Sequence, residues 1–464
     1  MKLIVVGAGS SGLGVALAAA RRGWAVLLLE AQDIGGGTST TSTKLVHGGV
    51  RYLESAVKSL RYADWKLVRE ALQERAWMLR SHPQLARPLP LVVPVRQLWE
   101  RLYYGLGLRL YEFLSGSHRI GATRWLNPTT LYAHFPTLRA GFVGGWQYWD
   151  GQFEDRLYAV HLALFLRQRY GVEVRTHARV VAVHPAKGGI RVEVETEAGL
   201  RYEEEGNWLI NATGPWSDEL RRRVQPGVPA RLRLSRGSHL VVPRSALPIE
   251  AGFLIPRTED GRLLFVLPWK EGTVLVGTTE VEEGQPAWKV PVSAAEEAYL
   301  RAYVARYFEV SEPLPVQARF AGYRPLVGAG RGPSARLARR HVIEVWPHLR
   351  FVSLLGGKWT TFRAMGEDTL QALASAAGWV LPPGETVECI VPDLSELEAL
   401  CQAYPQPAVP GEAFCEGEVR FWRRLGWAQC PQDVVEGRWQ LHLIDEQRAQ
   451  RAVAALQARW ADLD

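Results

Sequence analysis

MKLIVVGAGSSGLGVALAAARRGWAVLLLE, residues 1–30, is the stretch that decides the fold. Met1 to Val6 is a short apolar run, and Gly7-Ala8-Gly9-Ser10-Ser11-Gly12 follows it. Leu13 to Arg22 then reads as a helix, and Trp24 to Leu29 is a second apolar run that ends in Glu30. Strand, glycine turn, helix, strand and acid in that order make a nucleotide-binding unit. The first glycine allows the tight turn, the second lets the backbone approach a pyrophosphate, and the third lets helix and strand pack closely. Phosphates would sit on the helix N-terminus, where N–H groups and the macrodipole favour anions. Glu30 lies 18 residues after Gly12, near the spacing of a carboxylate that accepts ribose hydroxyls. Its charge repels a 2′-phosphate, which favours FAD or NAD over NADP. Lys2 and the alanine-rich stretch after it imitate a secretory signal, but the embedded glycines argue against one.

The chain has 464 residues, 47 % hydrophobic and 22 % charged, with a formal net charge of +7. That composition excludes a disordered, collagen-like or multi-span membrane chain, and the length accommodates about three domains. Basic residues are scattered, with no zinc-finger spacing, RNP-like motif or basic block, so nucleic acid is not an expected partner. Anionic small ligands or an anionic membrane surface account for the charge equally well. Cys389, Cys401, Cys415 and Cys430 stand at gaps of 12, 14 and 15, which fit no metal motif. The expectation is a reduced, cytoplasmic protein without disulfides or a metal site, its thiols packed as small apolar groups.

Three later segments place backbone N–H groups near a ligand. Gly35 to Leu53 is rich in hydroxyls and glycines and suits a cofactor wrap. Trp208 to Trp216, WLINATGPW, is a strand running into a small-residue turn. Phe351 to Arg363, FVSLLGGKWTTFR, is a strand, a Gly-Gly turn and a helix start.

These residues carry a resemblance. The chain resembles the FAD-dependent glycerol-3-phosphate dehydrogenases through most of its length. The family's S-T-K-L-(I/V)-H-G-G-(L/V)-R-Y-L-E appears as Ser42 to Glu54, its N-A-T-G-P-W as Asn211 to Trp216 and its G-S-H-(I/L)-V-V-P-R as Gly237 to Arg244. Its G-x-R-P-L is Gly322 to Leu326, and its G-G-K-x-T-T is Gly356 to Thr361. The resemblance implies FAD contacts from Gly7, Gly9, Ser11, Gly12 and Glu30. It adds Thr38, Ser39, Ser42, Thr43, Lys44, Leu45, His47, Gly48 and Gly49 of the wrap, then Val180, Ala212 and Gly214, and finally Gly357, Lys358, Trp359, Thr360 and Thr361. The sequence departs from the family at Glu280, where aspartate is usual, and at Glu154-Asp155-Arg156-Leu157, which replaces Asp-Asp-Ala-Arg. Trp359 and Phe362 stand where Leu and Tyr are usual, and the chain beyond Pro383 is shorter than in many relatives.

The expected architecture is α/β: a Rossmann-like FAD-binding domain, an antiparallel-sheet substrate domain and a small helical C-terminal domain. The FAD-binding domain is discontinuous, over 1–80, 150–216 and 345–382. The substrate or cap domain takes 81–149 and 217–344, and the helical domain 383–464. Short strands read from Arg231 to Arg244, Gly252 to Pro256, Leu263 to Trp269 and Thr273 to Thr279, with a turn at Lys270-Glu271-Gly272. Ser293 and Glu296 have capping-box spacing before a helix.

Oxidising a secondary alcohol with a flavin sends a hydride to the cofactor and leaves a hydroxyl proton to be removed, while a phosphate handle needs fixed cations. Arg51, Arg324 and Arg339 are candidate ligands, because a guanidinium fork matches phosphate oxygens; Tyr52 joins Arg51 in the substrate set. Only 8 of the 55 basic residues are lysines, so Lys44 and Lys358, inside motifs, mark places that call for a compact ammonium. His239 is the leading proton acceptor, with a satisfied core histidine as the alternative. The catalytic set is therefore His239, Arg324 and Lys358, with no metal, and the substrate set adds Arg51, Tyr52 and Arg339. The expected reaction oxidises glycerol 3-phosphate and passes electrons to quinone. An oxidase using oxygen and a non-catalytic flavin-binding protein are the alternatives. Leu98, Trp99, Leu102, Tyr103, Leu106, Leu110, Phe113 and Leu114 form a helical stripe that either packs in the core or lies on a membrane surface, where quinone is found.

Overall fold

The computed structural model describes residues 1–49, 62–256, 258–328 and 341–463. Six strands form one sheet in the order Val342–Trp346, Phe351–Leu355, Trp208–Asn211, Lys2–Val6, Ala25–Leu29 and Glu173–Arg175. Every neighbouring pair is parallel except the first. The first strand is apolar without alternation because both its faces are covered. Leu3 and Val5 pack into the helical layer, while Ile4 and Val6 pack against an antiparallel sheet of Ala178–Ala186, Gly189–Thr196 and Arg201–Gly206. The helix after the glycine turn runs Ser10–Ala20. A Cβ at Gly12 would lie 1.8 Å from the Gly7 carbonyl oxygen, so only glycine lets this helix start against the strand.

The second sheet is centred on Leu232–Pro243, which pairs antiparallel with Ala318–Val327, Thr273–Gly277 and Val281–Glu283. It continues through Leu264–Pro268, Gly252–Ile255, Ala86–Val95, Gly144–Phe153 and Leu45–Val46. All four expected strands between 231 and 279 form, each ending within two residues of its predicted bounds. The Ser293 hydroxyl accepts from the Glu296 N–H at 3.3 Å, and Glu296 Oε2 accepts from the Ser293 N–H at 3.2 Å, which starts the helix Ala294–Tyr307. The expected boundaries at 150 and 345 fall inside Gly144–Phe153 and Val342–Trp346. A hydrogen-bonded ladder commits a strand as a unit, so the first belongs wholly to the antiparallel sheet and the second to the parallel one.

Beyond 383 the chain forms the helices Ser395–Ala403, Glu416–Arg424, Pro431–Val435 and Glu446–Arg459, as expected, and their apolar side chains join the core of the parallel sheet. Val387, Ile390, Phe421, Trp422 and Trp427 share one cluster with Leu3, Val5 and the helix Ser10–Ala20. Arg438 forks onto Asp33, with Nη1 to Oδ2 at 2.6 Å and Nη2 to Oδ1 at 2.9 Å, and Arg156 Nη2 donates to Oδ2 at 2.5 Å. Burial pushes the Asp33 carboxyl up, and the charges of Arg438 and Arg156 outweigh it and hold its pKa below the ordinary value. Nor are the thiols packed as expected: Cys389 is exposed and the other three are half-buried.

The stripe on Leu98–Ser115 divides: Leu110 and Leu114 pack against the core, and the rest faces outward. Leu98 is 72 % exposed, Leu102 77 %, Leu106 75 % and Phe113 80 %, and the buried face is Gly105, Leu108, Tyr111 and Ser115. Gly105, which weakens the helix in sequence terms, is what lets it approach the Trp146 ring, where a Cβ would come within 2.5 Å. Among the described residues no helix is long and apolar enough to cross a membrane.

Candidate active site

A cleft of about 520 Å³ opens where the C-terminal ends of four parallel strands meet Leu232–Pro243 and Ala318–Val327. Gly7, Gly9, Ser11 and Glu30 line it from the nucleotide-binding unit. Thr38, Ser39, Ser42, Thr43, Leu45 and His47 line it from the wrap, Val180 from the strand Ala178–Ala186, and Ala212 and Gly214 from the turn after Trp208–Asn211. Gly357, Lys358, Trp359 and Thr360 close it beside His239 and Arg324. Arg51, Tyr52 and Arg339 lie outside the described residues.

Five expected cofactor residues do not line the cleft. Gly12 sits at the helix–strand contact. Gly48 is backed by Leu72 and Tyr111, where a Cβ would lie 2.3 Å and 2.6 Å from their side chains, and Gly49 turns the chain with φ 82. Thr361 directs Oγ1 back to the Lys358 carbonyl at 3.5 Å. Lys44 is the main correction, because its ammonium is fully buried and turned away from the cleft. It donates to Asp155 at 2.7 Å and 2.9 Å and to the Thr40 carbonyl at 2.6 Å. Ser42 Oγ donates to the same carboxylate at 2.7 Å, so Asp155 ties down the middle of the wrap. The compact cation is needed for the scaffold: a charge this deep must be fully paired.

Glu30 is almost fully buried, and its oxygens accept from the Ala8 N–H at 2.7 Å and the Gln32 N–H at 3.0 Å. Burial raises its pKa, and those two N–H donors pull the other way. A Cβ at Gly9 would lie 2.9 Å from Ser39 Oγ, which itself accepts from the Ser10 N–H at 2.9 Å, so the helix start and the wrap leave a backbone-lined channel. The carboxylate at one end, this channel and the Gly357–Thr360 turn at the other fit FAD. Trp359 holds that turn in place: its Nε1 donates to the Ser39 carbonyl at 2.7 Å, and its ring meets Phe153 and Tyr158 edge-on. Glu30→Gln is expected to weaken FAD retention by about 1.5–3 kcal/mol, the worth of a hydrogen bond to a charged group. Equilibrium dialysis of the holoprotein checks it, and unaltered retention would move the ribose contact elsewhere.

At the antiparallel end, glycines make room for functional side chains. A Cβ at Gly277 would lie 2.2 Å from His239 Cδ2, one at Gly237 2.3 Å from Arg324 Nη2, and one at Gly322 1.7 Å from Thr41 Oγ1. The His239 ring stacks on Phe320 at 4.7 Å and 14°, and its Nε2 lies 3.0 Å from Thr43 Oγ1. Nδ1 is buried and has no hydrogen-bond partner among the described residues. Burial, then the nearby charges of Arg324 and Lys44, hold the imidazole pKa well below its ordinary value, so the ring is neutral at physiological pH. Arg324 donates to the Thr279 carbonyl at 3.2 Å and to Thr278 Oγ1 at 2.9 Å. Sequence reasoning missed the Trp216–Trp288 stack, centroids 3.9 Å apart, which lines the cleft from both sheets. It also missed Asp155, whose only signal was its place in a motif that departs from the family.

A sequence model of the FAD dependent oxidoreductase family matches residues 2–371. Among curated relatives, the mitochondrial glycerol-3-phosphate dehydrogenase of Macaca fascicularis is 34 % identical over 398 residues, 83 % of this chain and 54 % of the relative. A probable mitochondrial glycerol-3-phosphate dehydrogenase of Dictyostelium discoideum is 31 % identical over 520 residues, 98 % of this chain and 79 % of the relative. The chain thus spans about half the length of the first of these relatives. The crystal structure of a glycerol-3-phosphate dehydrogenase from Bacillus halodurans complexed with FAD superposes with a TM-score of 0.72 at 20 % identity. It covers all of this chain and 91 % of that one, a likeness of fold.

Proposed function

Because the chain belongs to the FAD-dependent oxidoreductases and, among them, to the glycerol-3-phosphate dehydrogenases, we propose that it oxidises sn-glycerol 3-phosphate to dihydroxyacetone phosphate and passes the electrons to quinone. The observation that carries this reading is the convergence, in one cleft, of the His239 imidazole with Arg324 and Lys358 beside the Gly357–Thr360 turn. Bound FAD supplies a hydride acceptor. Arg324 and Lys358 bind the phosphate and orient the carbinol, Arg324 as a fork already aimed by Thr278 and Thr279. The His239 imidazole takes the hydroxyl proton. Phosphate at Arg324 screens its charge, which raises the basicity of the imidazole when substrate is present. Arg51, Tyr52 and Arg339 complete the substrate set.

Quinone is favoured over oxygen as the acceptor by the exposed stripe of Leu98, Trp99, Leu102, Leu106 and Phe113. Quinones live in the bilayer, and such a helix inserts its apolar face at the headgroup boundary while Arg101 and Arg109 meet anionic lipid. The attachment is peripheral and on the cytoplasmic face. Purified protein is expected to bleach its visible flavin band anaerobically on addition of glycerol 3-phosphate. It should float with anionic liposomes in low salt, less so in high salt, and reduce a soluble quinone analogue faster than oxygen. Trp99→Glu with Leu106→Glu should abolish flotation and spare bleaching. A protein that ignores liposomes and yields stoichiometric peroxide in air is an oxidase, and one that does not bleach has another substrate.

A further inference from the structure

Two of the four cysteines meet in the C-terminal helices. Cys401 lies near the end of Ser395–Ala403, Cys415 caps the start of Glu416–Arg424, and Glu418 stands in the first turn of that helix. The two Sγ atoms and a Glu418 carboxylate oxygen lie within 4.8 Å of one another, all on half-buried side chains. We propose that Cys401, Cys415 and Glu418 form a zinc-binding site with its fourth position open to water.

The packing brings the ligands together. A Cβ at Gly417 would lie 2.3 Å from the Leu400 carbonyl and 2.4 Å from the Cys401 nitrogen, so the glycine between Cys415 and Glu418 presses the two helices together at the ligands. Zinc with sulfur at about 2.3 Å and oxygen at about 2.0 Å in a tetrahedron needs ligand separations of about 3.5–3.8 Å, a closure of at most roughly an ångström. Side-chain rotation supplies that. Trp439 Nε1 donates to Glu418 Oε2 at 3.1 Å, and Phe414 stacks on the indole at 4.4 Å, so the carboxylate is oriented by an outer hydrogen bond, as metal-bound carboxylates are. Two thiolates select a soft or borderline ion over magnesium or calcium. Binding forms two Zn–S bonds, releases two thiol protons to solvent and changes no oxidation state. The sequence hid this site because its cysteine spacing matches no ligand motif; the pairing is made across two helices.

The test uses the full-length holoprotein, stripped with chelator under reducing conditions and titrated with Co²⁺ as a spectroscopic probe. One Co²⁺ per chain is expected, with an intense thiolate charge-transfer band that stoichiometric Zn²⁺ displaces. Zn²⁺ should also raise the thermal midpoint of the wild type. Cys401→Ser should lose the band, and Glu418→Gln, which keeps the Trp439 hydrogen bond, should weaken Co²⁺ binding at least tenfold. FAD content at the wild-type level separates loss of the site from loss of the fold, and Glu418→Gln decides if Cys401→Ser does not fold. Absence of the band, or a band that survives in these variants, overturns the proposal. So does a Cys401–Cys415 disulfide, two hydrogens lighter by mass, in protein isolated without reductant.

Discussion

Replacing His239 by alanine is expected to slow anaerobic flavin reduction by glycerol 3-phosphate roughly 10²–10⁴-fold while FAD stays bound, because general-base catalysis is lost and the cofactor channel is untouched. His239 is almost wholly buried between Phe320 and the backbone of Gly277, so the substitution empties a small space and adds no bulk. The imidazole also predicts a pH dependence. Its pKa is depressed by burial and by Arg324 and Lys44, so the base-competent neutral form persists as pH falls below the ordinary imidazole value. The acid limb of kcat/KM is therefore expected below about 6.5, the unperturbed pKa. Stopped-flow bleaching across pH checks both points. Normal bleaching in His239→Ala would reduce this residue to packing, and an acid limb above the ordinary value would assign the proton to another group.

Arg324→Ala is expected to cost about 2–5 kcal/mol in affinity for the phosphorylated substrate, the usual loss when one partner of a close charge pair is truncated. The loss should be selective. Glycerol lacks the phosphate, so the variant should narrow the preference for glycerol 3-phosphate over glycerol. Arg324→Lys should recover little, since a single ammonium cannot reproduce a fork held by Thr278 and the Thr279 carbonyl. Steady-state kinetics on both alcohols decide it. An unchanged preference would place the phosphate anchor on Lys358, Arg51 or Arg339.

What was legible in the sequence was local. Residues 1–30 carry their own strand–turn–helix–strand signal, and the strands from 231 to 279 are marked by short strand-like runs and a turn at Lys270 to Gly272. Ser293 and Glu296 announce a helix from three residues away. The parts that were not legible depend on partners far apart in the chain. Lys44 reads as a site cation until Asp155, 111 residues on, is seen to hold it. Gly237 and Gly277 look like ordinary strand glycines until Arg324 and His239 are seen to occupy the space their missing side chains leave. The C-terminal helices look like a separate domain because composition does not reveal which core an apolar face will join. The apolar stripe at 98–115 was visible, but its exposure was not, since core and interface helices share one periodicity.

The buried meeting of Asp33 with Arg438 bears on how the polypeptide acquires its shape during synthesis. Nascent domains commonly fold amino-terminus first as they leave the ribosome. Here the first strand waits for Trp208–Asn211 to gain its second neighbour, and Asp33 for an arginine that emerges 405 residues later. Until then a carboxylate destined for the interior has only Arg156 to pair with. The nucleotide-binding half therefore gains the second buried partner of Asp33 only once residue 438 has been made.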